Sequence, residues 1–255
     1  SAQSLHLMAE AYKLVFKDRA KYMGDPAYVD VPIIGLTGKC YAQDLAKQIS
    51  TTSCITSFDN VPSPWTYNEH LDTTHYCVAD AKGNMVSVTQ TVNYYFGSCV
   101  AVPGYGFMMN DEMADFSADP SSPNCIAPGK TPLSSMSPTI VLRPDGTPFL
   151  TLGSPGGTSI INAVSQVISY VIDYDQPIQT AINLPRIINK NNNELQYEGR
   201  LDQSVIDQLT ALGHTVKASD AWNRGFGSVQ GVEYGTDKTL YGGADPRRDN
   251  KALGY

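Results

Sequence analysis

Apolar residues recur at helical spacing from the first turn of the chain. Leu5, Met8, Ala9, Tyr12, Val15 and Phe16 stand at intervals of three and four and predict an amphipathic helix. The pattern stops near Met23, where Gly24-Asp25-Pro26 supplies the break. Residues 27–50 are rich in turn formers, with a short helix expected from Tyr41 to Ile49. The stretch from Ser50 to His70 is polar and without period, with two prolines in Val61-Pro62-Ser63-Pro64, and predicts an exposed, mobile loop open to proteolysis. Alternation then takes over. His75–Asp80 and Met85–Val92 alternate on either side of Lys82-Gly83-Asn84, the signature of a β-hairpin. A second hairpin is expected between Ile140 and Leu152, turning at Arg143-Pro144-Asp145-Gly146. Gly153-Ser154-Pro155-Gly156-Gly157 follows and opens a helix whose face carries Ile160, Ile161, Val164, Val167, Ile168, Val171 and Ile172. A further helix runs from Asp202, a candidate N-cap, to Leu212, with Gly213 as its stop. Short strands are expected at Leu195–Tyr197, Ser228–Tyr234 and Thr239–Tyr241.

Helices outside stacked antiparallel hairpins predict an α+β layered sandwich. Composition agrees with a folded protein, since 42% of the 255 residues are hydrophobic and 17% charged. A net charge of -7 argues against non-specific nucleic-acid binding. The five cysteines (Cys40, Cys54, Cys77, Cys99 and Cys125) form no C-x-x-C pair and read as apolar fillers or free thiols. His6, His70, His75 and His214 lack metal-ligand spacing, so no metal and no cofactor is expected. No apolar run is long enough to span a membrane. The chain enters a helix at once from Ser1, without a signal peptide, and is read as starting within a larger architecture.

Four segments could carry chemistry. Thr73-Thr74-His75-Tyr76 opens the first alternating strand directly after the polar loop. A β-branched pair starting a strand is ordinary. Cut just before Thr73, however, the chain would place a nucleophilic hydroxyl and an α-amine of pKa near ~8 on one residue. The glycine-rich loop Gly153–Gly157 is either a tight packing turn or a cradle of N–H groups for an anion or oxyanion at a helix start. It has no lysine of a phosphate-binding P-loop. Ser134 and Ser135 lie in a hydroxyl-rich turn, able to clamp a carboxylate or simply to cap it. Glu112 and Asp115, three apart, would meet on a helical turn and could hold an ammonium group or form a solvated acidic turn. No G-x-S-x-G elbow is present, which disfavours a conventional serine hydrolase.

Taken in order, Thr73–Tyr76, Val86–Asn93, Met109–Ser117, Pro132–Thr139, Gly153–Gly157 and Asp245-Pro246-Arg247 resemble the γ-glutamyltransferases, self-processing N-terminal-nucleophile (Ntn) hydrolases. Asp18–Tyr22 with Gly24-Asp25-Pro26 resembles the end of that family's large subunit, so the likeness runs along essentially the whole chain. It implies an Ntn-hydrolase four-layer αββα sandwich, incomplete on its N-terminal side. Residues 1–72 would be the end of the large-subunit region and 73–255 the small-subunit catalytic region of one domain. It implies a zymogen cleaved between Asp72 and Thr73, with Thr73 as nucleophile and its amine as base. Thr91 would bond the nucleophile, and Gly156 and Gly157 would receive the oxyanion. Asn93, Glu112 and Asp115 would hold the α-amino end of a γ-glutamyl donor, and Ser134 and Ser135 its α-carboxylate. The partners implied are a small γ-glutamyl donor such as glutathione, water or an amino-acid or peptide acceptor, and the remaining large-subunit part with its donor-binding arginine. No nucleic acid and no cofactor are implied. Members are often periplasmic or extracellular. The short Ala118–Lys130 connection lacks the family's longer lid, so an open site for bulky or polymeric γ-glutamyl substrates is expected. A poly-γ-glutamate enzyme, a β-lactam side-chain acylase of the same superfamily, and an unprocessed inactive fragment are the alternatives.

Overall fold

A computed structural model describes residues 1–56, 73–190 and 192–255. In chain order the elements are α1 (Ala2–Tyr22), α2 (Ile33–Leu36), α3 (Lys39–Ala46), β1 (Thr73–Ala79), β2 (Met85–Thr91), β3 (Thr139–Leu142), β4 (Pro148–Gly153), α4 (Ser159–Ile172), α5 (Ile178–Asn183), β5 (Ile187–Ile188), β6 (Glu194–Glu198), α6 (Gln203–Ala211), β7 (Thr215–Ser219), β8 (Gln230–Tyr234) and β9 (Leu240–Ala244). The fold is α+β. Its elements fall into two compact units that alternate along the sequence.

The first unit takes α1–α3, residues Glu112–Ser134, and Ile187–Ser219. Its sheet has the order β5-β6-β7, antiparallel between β5 and β6 and parallel between β6 and β7. Helix α6 makes the crossover that parallel pairing requires. Helix α1 packs on α6 and β5, burying Leu5, Ala9, Tyr12 and Phe16 as their spacing predicts. Two features of α1 differ from that pattern. Val15 is exposed, while His6, Glu10 and Lys13 are buried. These polar groups are tolerated because they are bonded. The Lys13 ammonium donates to Glu10 Oε1 at 2.7 Å, to Ile55 O at 3.1 Å and to Asn193 Oδ1 at 3.2 Å, and Glu10 Oε2 accepts from Ile55 N at 2.7 Å.

Those bonds also correct the expectation of a loop mobile from Ser50 onward. His6 Nε2 meets Ser50 O at 2.8 Å, and Cys54 N donates to Leu212 O at 2.8 Å, so residues 50–55 are tied to the unit. The rest of the expected loop, from residue 57, and Asp72 lie outside the described residues.

The second unit holds β1–β4, α4, α5, β8, β9 and the C-terminal tail. Strands β3-β4-β8-β9 form an antiparallel sheet. The β1–β2 hairpin stacks on β4 and β8. There Ser87 Oγ donates to Leu152 O at 3.0 Å and accepts from Thr139 N at 3.1 Å. The helical layer covers the other face, where Leu152 and Ile178 meet over the bare Cα of Gly231. Leu150, Leu152, Ile160, Val167, Ile178 and Ile182 make its core. Hairpin, sheet and helices thus stack as three layers, and no helix among the described residues is long and apolar enough to cross a membrane.

Candidate active site

Thr73 is the first residue of β1, and the antiparallel register sets it opposite Thr91, the last residue of β2. The Thr73 hydroxyl donates to Thr91 Oγ1 at 3.3 Å. The same Thr91 oxygen accepts Asn93 N–H at 2.8 Å. Asn93 makes this contact with φ at 73°, a left-handed conformation that asparagine tolerates better than most residues. Asp111 secures the turn that follows, because its Oδ1 accepts Tyr94 N–H at 3.0 Å and its own N–H donates to Val92 O at 3.2 Å. Thr73, Thr91 and Asn93, assembled only by resemblance at first, are therefore one hydrogen-bonded group.

Period-two alternation carries His75 to the same side of β1 as Thr73. It is 5% exposed, its Nδ1 lies 2.8 Å from Thr89 Oγ1, and its Nε2 has no hydrogen-bond partner among the described residues. Burial pushes its pKa down to about 4, so the ring is neutral near pH 7. The imidazole lies on Gly153: a Cβ there would stand 2.3 Å from the ring. Sequence reasoning treated His75 as part of a strand start and missed this contact. The signal available was a histidine two residues beyond Thr73 combined with a glycine ending β4.

From Gly153 the chain enters the glycine-rich loop. Ser154 is buried; its hydroxyl donates to Pro155 O at 2.6 Å and accepts Ser228 N–H at 2.8 Å. Gly156 has φ at 136°, with its missing Cβ position 3.1 Å from Gly227 Cα, and Gly157 has φ at 56°. Both the dihedral and the close approach demand glycine at 156. Helix α4 begins two residues after Gly157. Strand, tight turn and helix start are thus in the order an N–H cradle needs.

The remaining expected residues divide between the units. Glu112 and Asp115 open and close one 3₁₀ turn of the first unit, as their spacing implied, and Asp115 O accepts Asn124 Nδ2–H at 2.7 Å. Ser134 ends a segment of that unit, while Ser135 belongs to the second and its carbonyl accepts the Ser137 hydroxyl at 3.0 Å. The connection from Ala118 to Lys130 folds on itself, with Ser117 N donating to Asn124 O at 2.9 Å and Lys130 Nζ to Pro123 O at 2.7 Å.

One cluster brings metal-ligand residue types together where sequence spacing showed none. His6 Nδ1 and His214 Nε2, 208 positions apart, are 2.7 Å from each other, and Glu10 Oε1 lies 3.8 Å from His214 Nε2. The Lys13 ammonium already occupies Glu10 Oε1 at 2.7 Å, and each imidazole engages the other. These contacts make the cluster a buried hydrogen-bond network of the first unit, in which the Lys13 ammonium neutralises the Glu10 carboxylate.

The sequence pattern of the gamma-glutamyltranspeptidase family matches residues 1–255. The chain belongs to this family. The glutathione hydrolase proenzyme of Escherichia coli is 39% identical over 267 aligned residues, an alignment covering 100% of this chain and 45% of that protein. The structure of the gamma-glutamyltranspeptidase from Pseudomonas nitroreducens superposes with a TM-score of 0.63 at 38% identity, covering 71% of this chain and 98% of that one. A cephalosporin acylase from Bacillus halodurans covers 100% of this chain and 46% of its own, with a TM-score of 0.86 at 28% identity. The chain spans about half the length of the curated relatives it matches. In this gamma-glutamyltranspeptidase family member the Thr73–Thr91–Asn93 group and the Gly153–Gly157 loop both lie in the second unit.

Proposed function

We propose that the protein transfers or hydrolyses γ-glutamyl groups through Thr73, freed as an N-terminal residue by cleavage at Asp72–Thr73. The observation that carries this reading is the Thr73 hydroxyl at the very start of β1, donating to Thr91 Oγ1 at 3.3 Å. A hydroxyl so placed has a base within its own residue once the chain is cut. Thr73 Oγ attacks the γ-amide carbonyl of the donor, and its proton passes to the α-amine. The resulting oxyanion is received by the N–H groups of Gly156 and Gly157. The C–N bond breaks, the leaving amine takes the proton back from the α-ammonium, and a γ-glutamyl ester remains on Thr73. Water or an acceptor amine then attacks the ester, with the same amine relaying the proton, and regenerates Thr73. Asn93, Glu112 and Asp115 are assigned to the donor's α-ammonium, Ser134 and Ser135 to its α-carboxylate. The short Ala118–Lys130 connection, where the resemblance implies a longer lid in many members, favours a site open enough for long γ-linked donors.

Intact mass spectrometry of the complete protein encoded by the gene, paired with a γ-glutamyl-p-nitroanilide assay, tests the reading. Two pieces separated between Asp72 and Thr73, with release of p-nitroaniline, are the result it requires. An active but uncut protein would remove Thr73 from the mechanism. The likeness of this whole chain to about half of a cephalosporin acylase favours a second donor, a β-lactam side-chain amide; preferential hydrolysis of such an amide over the γ-glutamyl anilide would establish that donor instead.

A further inference from the structure

Arg248, outside every motif of the family resemblance, reaches the start of β1. Its Nη1 donates to the carbonyl oxygen of Thr73 at 3.2 Å, across 175 positions of sequence. We propose that Arg248 is a positioning residue for Thr73, holding its carbonyl so that hydroxyl and α-amine point in one fixed direction. The proposal rests on the reading of Thr73 as the nucleophile.

The need for such a hold follows from the chemistry of a chain end. Once cut, Thr73 is tethered only through its own carbonyl carbon, and nothing on its N-terminal side restrains it. The bond from its hydroxyl to Thr91 restrains the side chain. A second restraint on the carbonyl fixes the backbone, and the tetrahedral Cα then dictates where the amine lies. Two anchors on one residue are the smallest set that orients nucleophile and base together, and misplacement by about 1 Å costs on the order of 100-fold in rate.

Arg248 is suited to the task because the tail before it is rigid. Asp245, 1% exposed, accepts from Arg186 Nη2 at 2.6 Å, Val229 N at 2.7 Å, Arg247 N at 2.9 Å and Arg247 Nη1 at 3.1 Å. On the far side, Asn250 Nδ2 donates to Asp245 O at 2.8 Å and to Ser228 Oγ at 2.7 Å, and Asn250 N donates to Arg248 O at 2.9 Å. Arg248 thus projects from a turn clamped at both ends. Its planar fork of donors is pre-organised for a fixed acceptor, which a lysine ammonium is not.

The test uses the complete protein and three variants, Arg248→Met, Arg248→Lys and Thr73→Ala. Arg248→Met should cleave more slowly at Asp72–Thr73 and lower kcat on γ-glutamyl-p-nitroanilide by about 10- to 100-fold, with KM within about twofold and an unchanged melting temperature. Arg248→Lys, which restores one donor, should recover part of kcat. Thr73→Ala should be uncut and inactive. If the wild type is cut and active but Arg248→Met matches it, the positioning role is overturned while the Thr73 reading stands. A variant that loses melting temperature and raises KM, with no recovery in Arg248→Lys, marks a structural role and also overturns it. A wild type that is active while uncut removes the Thr73 reading and this proposal with it.

Discussion

The oxygen of Thr91 serves two donors, the Thr73 hydroxyl and the Asn93 N–H, so a change there touches the proposed nucleophile and the turn after β2 together. Thr91→Ala removes both acceptances and should slow cleavage at Asp72–Thr73 and cut kcat by about 10- to 100-fold, while costing about 1 kcal/mol of stability. Thr91→Ser keeps the oxygen and should stay within a few-fold of wild type; equal loss in the two variants would show that the methyl, not the hydroxyl, matters. Gly153 makes a different kind of demand. A methyl there would meet His75 Cε1 at 2.3 Å and Nδ1 at 2.5 Å in a packed layer. Gly153→Ala should therefore cost about 1–3 kcal/mol by overpacking, read as a lower urea midpoint with an unchanged slope. At this scale the hairpin that carries Thr73 and Thr91 was legible from alternation and one turn, while the two threonines themselves stood out only through the family resemblance. The His75–Gly153 contact was not legible, because it joins two layers whose stacking no local period encodes.

Elements with long periods and clear stops were the readable ones. Helix α1 ends at Tyr22, one residue before the expected Met23, and both hairpins turn where their glycine-containing turns predict. Strand β5 has two residues and helix α5 six, too few to express a period, and β7 is largely exposed and lacks an apolar face. Helix α3 runs from Lys39 to Ala46, starting earlier and stopping sooner than the Tyr41–Ile49 expectation. Asp202 does precede α6, but its side chain makes no capping bond. The motif Asp245-Pro246-Arg247 was visible only as a resemblance, and its physical role is to join elements. Arg186, between α5 and β5, donates to Asp245, to Phe226 O and to Ile182 O. Burial alone would raise the Asp245 carboxyl, yet the two guanidiniums of Arg186 and Arg247 and the N–H groups of Arg247 and Val229 outweigh it and hold its pKa below the usual carboxylate range. Asp245→Ala strands two buried guanidiniums, so it should destabilise by about 3–5 kcal/mol in urea unfolding. A loss below about 1 kcal/mol would mean that water or another group replaces the carboxylate.

Across the described residues, His75 in the second unit and His214 in the first are buried imidazoles that resist protonation. His75 in the second unit is pushed down to about 4 by burial. His214 in the first is pushed to about 4 by burial and by the Lys13 charge, with Glu10 opposing and His6 adding to the shift. The tautomers follow from the bonds: if His6 Nε2–H donates to Ser50 O, His6 Nδ1 must accept from His214 Nε2–H, leaving a lone pair on His214 Nδ1. Unfolding returns each ring to a pKa of 6.5. Between about 4 and 6.5 the unfolded chain then binds more protons than the folded one, so stability is fully present above that window and falls as pH drops through it. The slope has a ceiling of about 1.4 kcal/mol per pH unit for each imidazole. The native pairing of Asp245 is lost only at lower pH, since its carboxyl is held below the ordinary aspartate value of 3.8. Melting temperatures of the wild type should be level above about pH 6.5 and decline steadily toward pH 4.5. His214→Gln should melt lower at pH 7, having lost its bond to His6, but decline less steeply because one proton-binding site is gone. A slope equal to wild type in that variant would show that His214 is already charged in the folded first unit. That would reverse the tautomer assignment and require Glu10 to pair with the imidazolium as well as with Lys13.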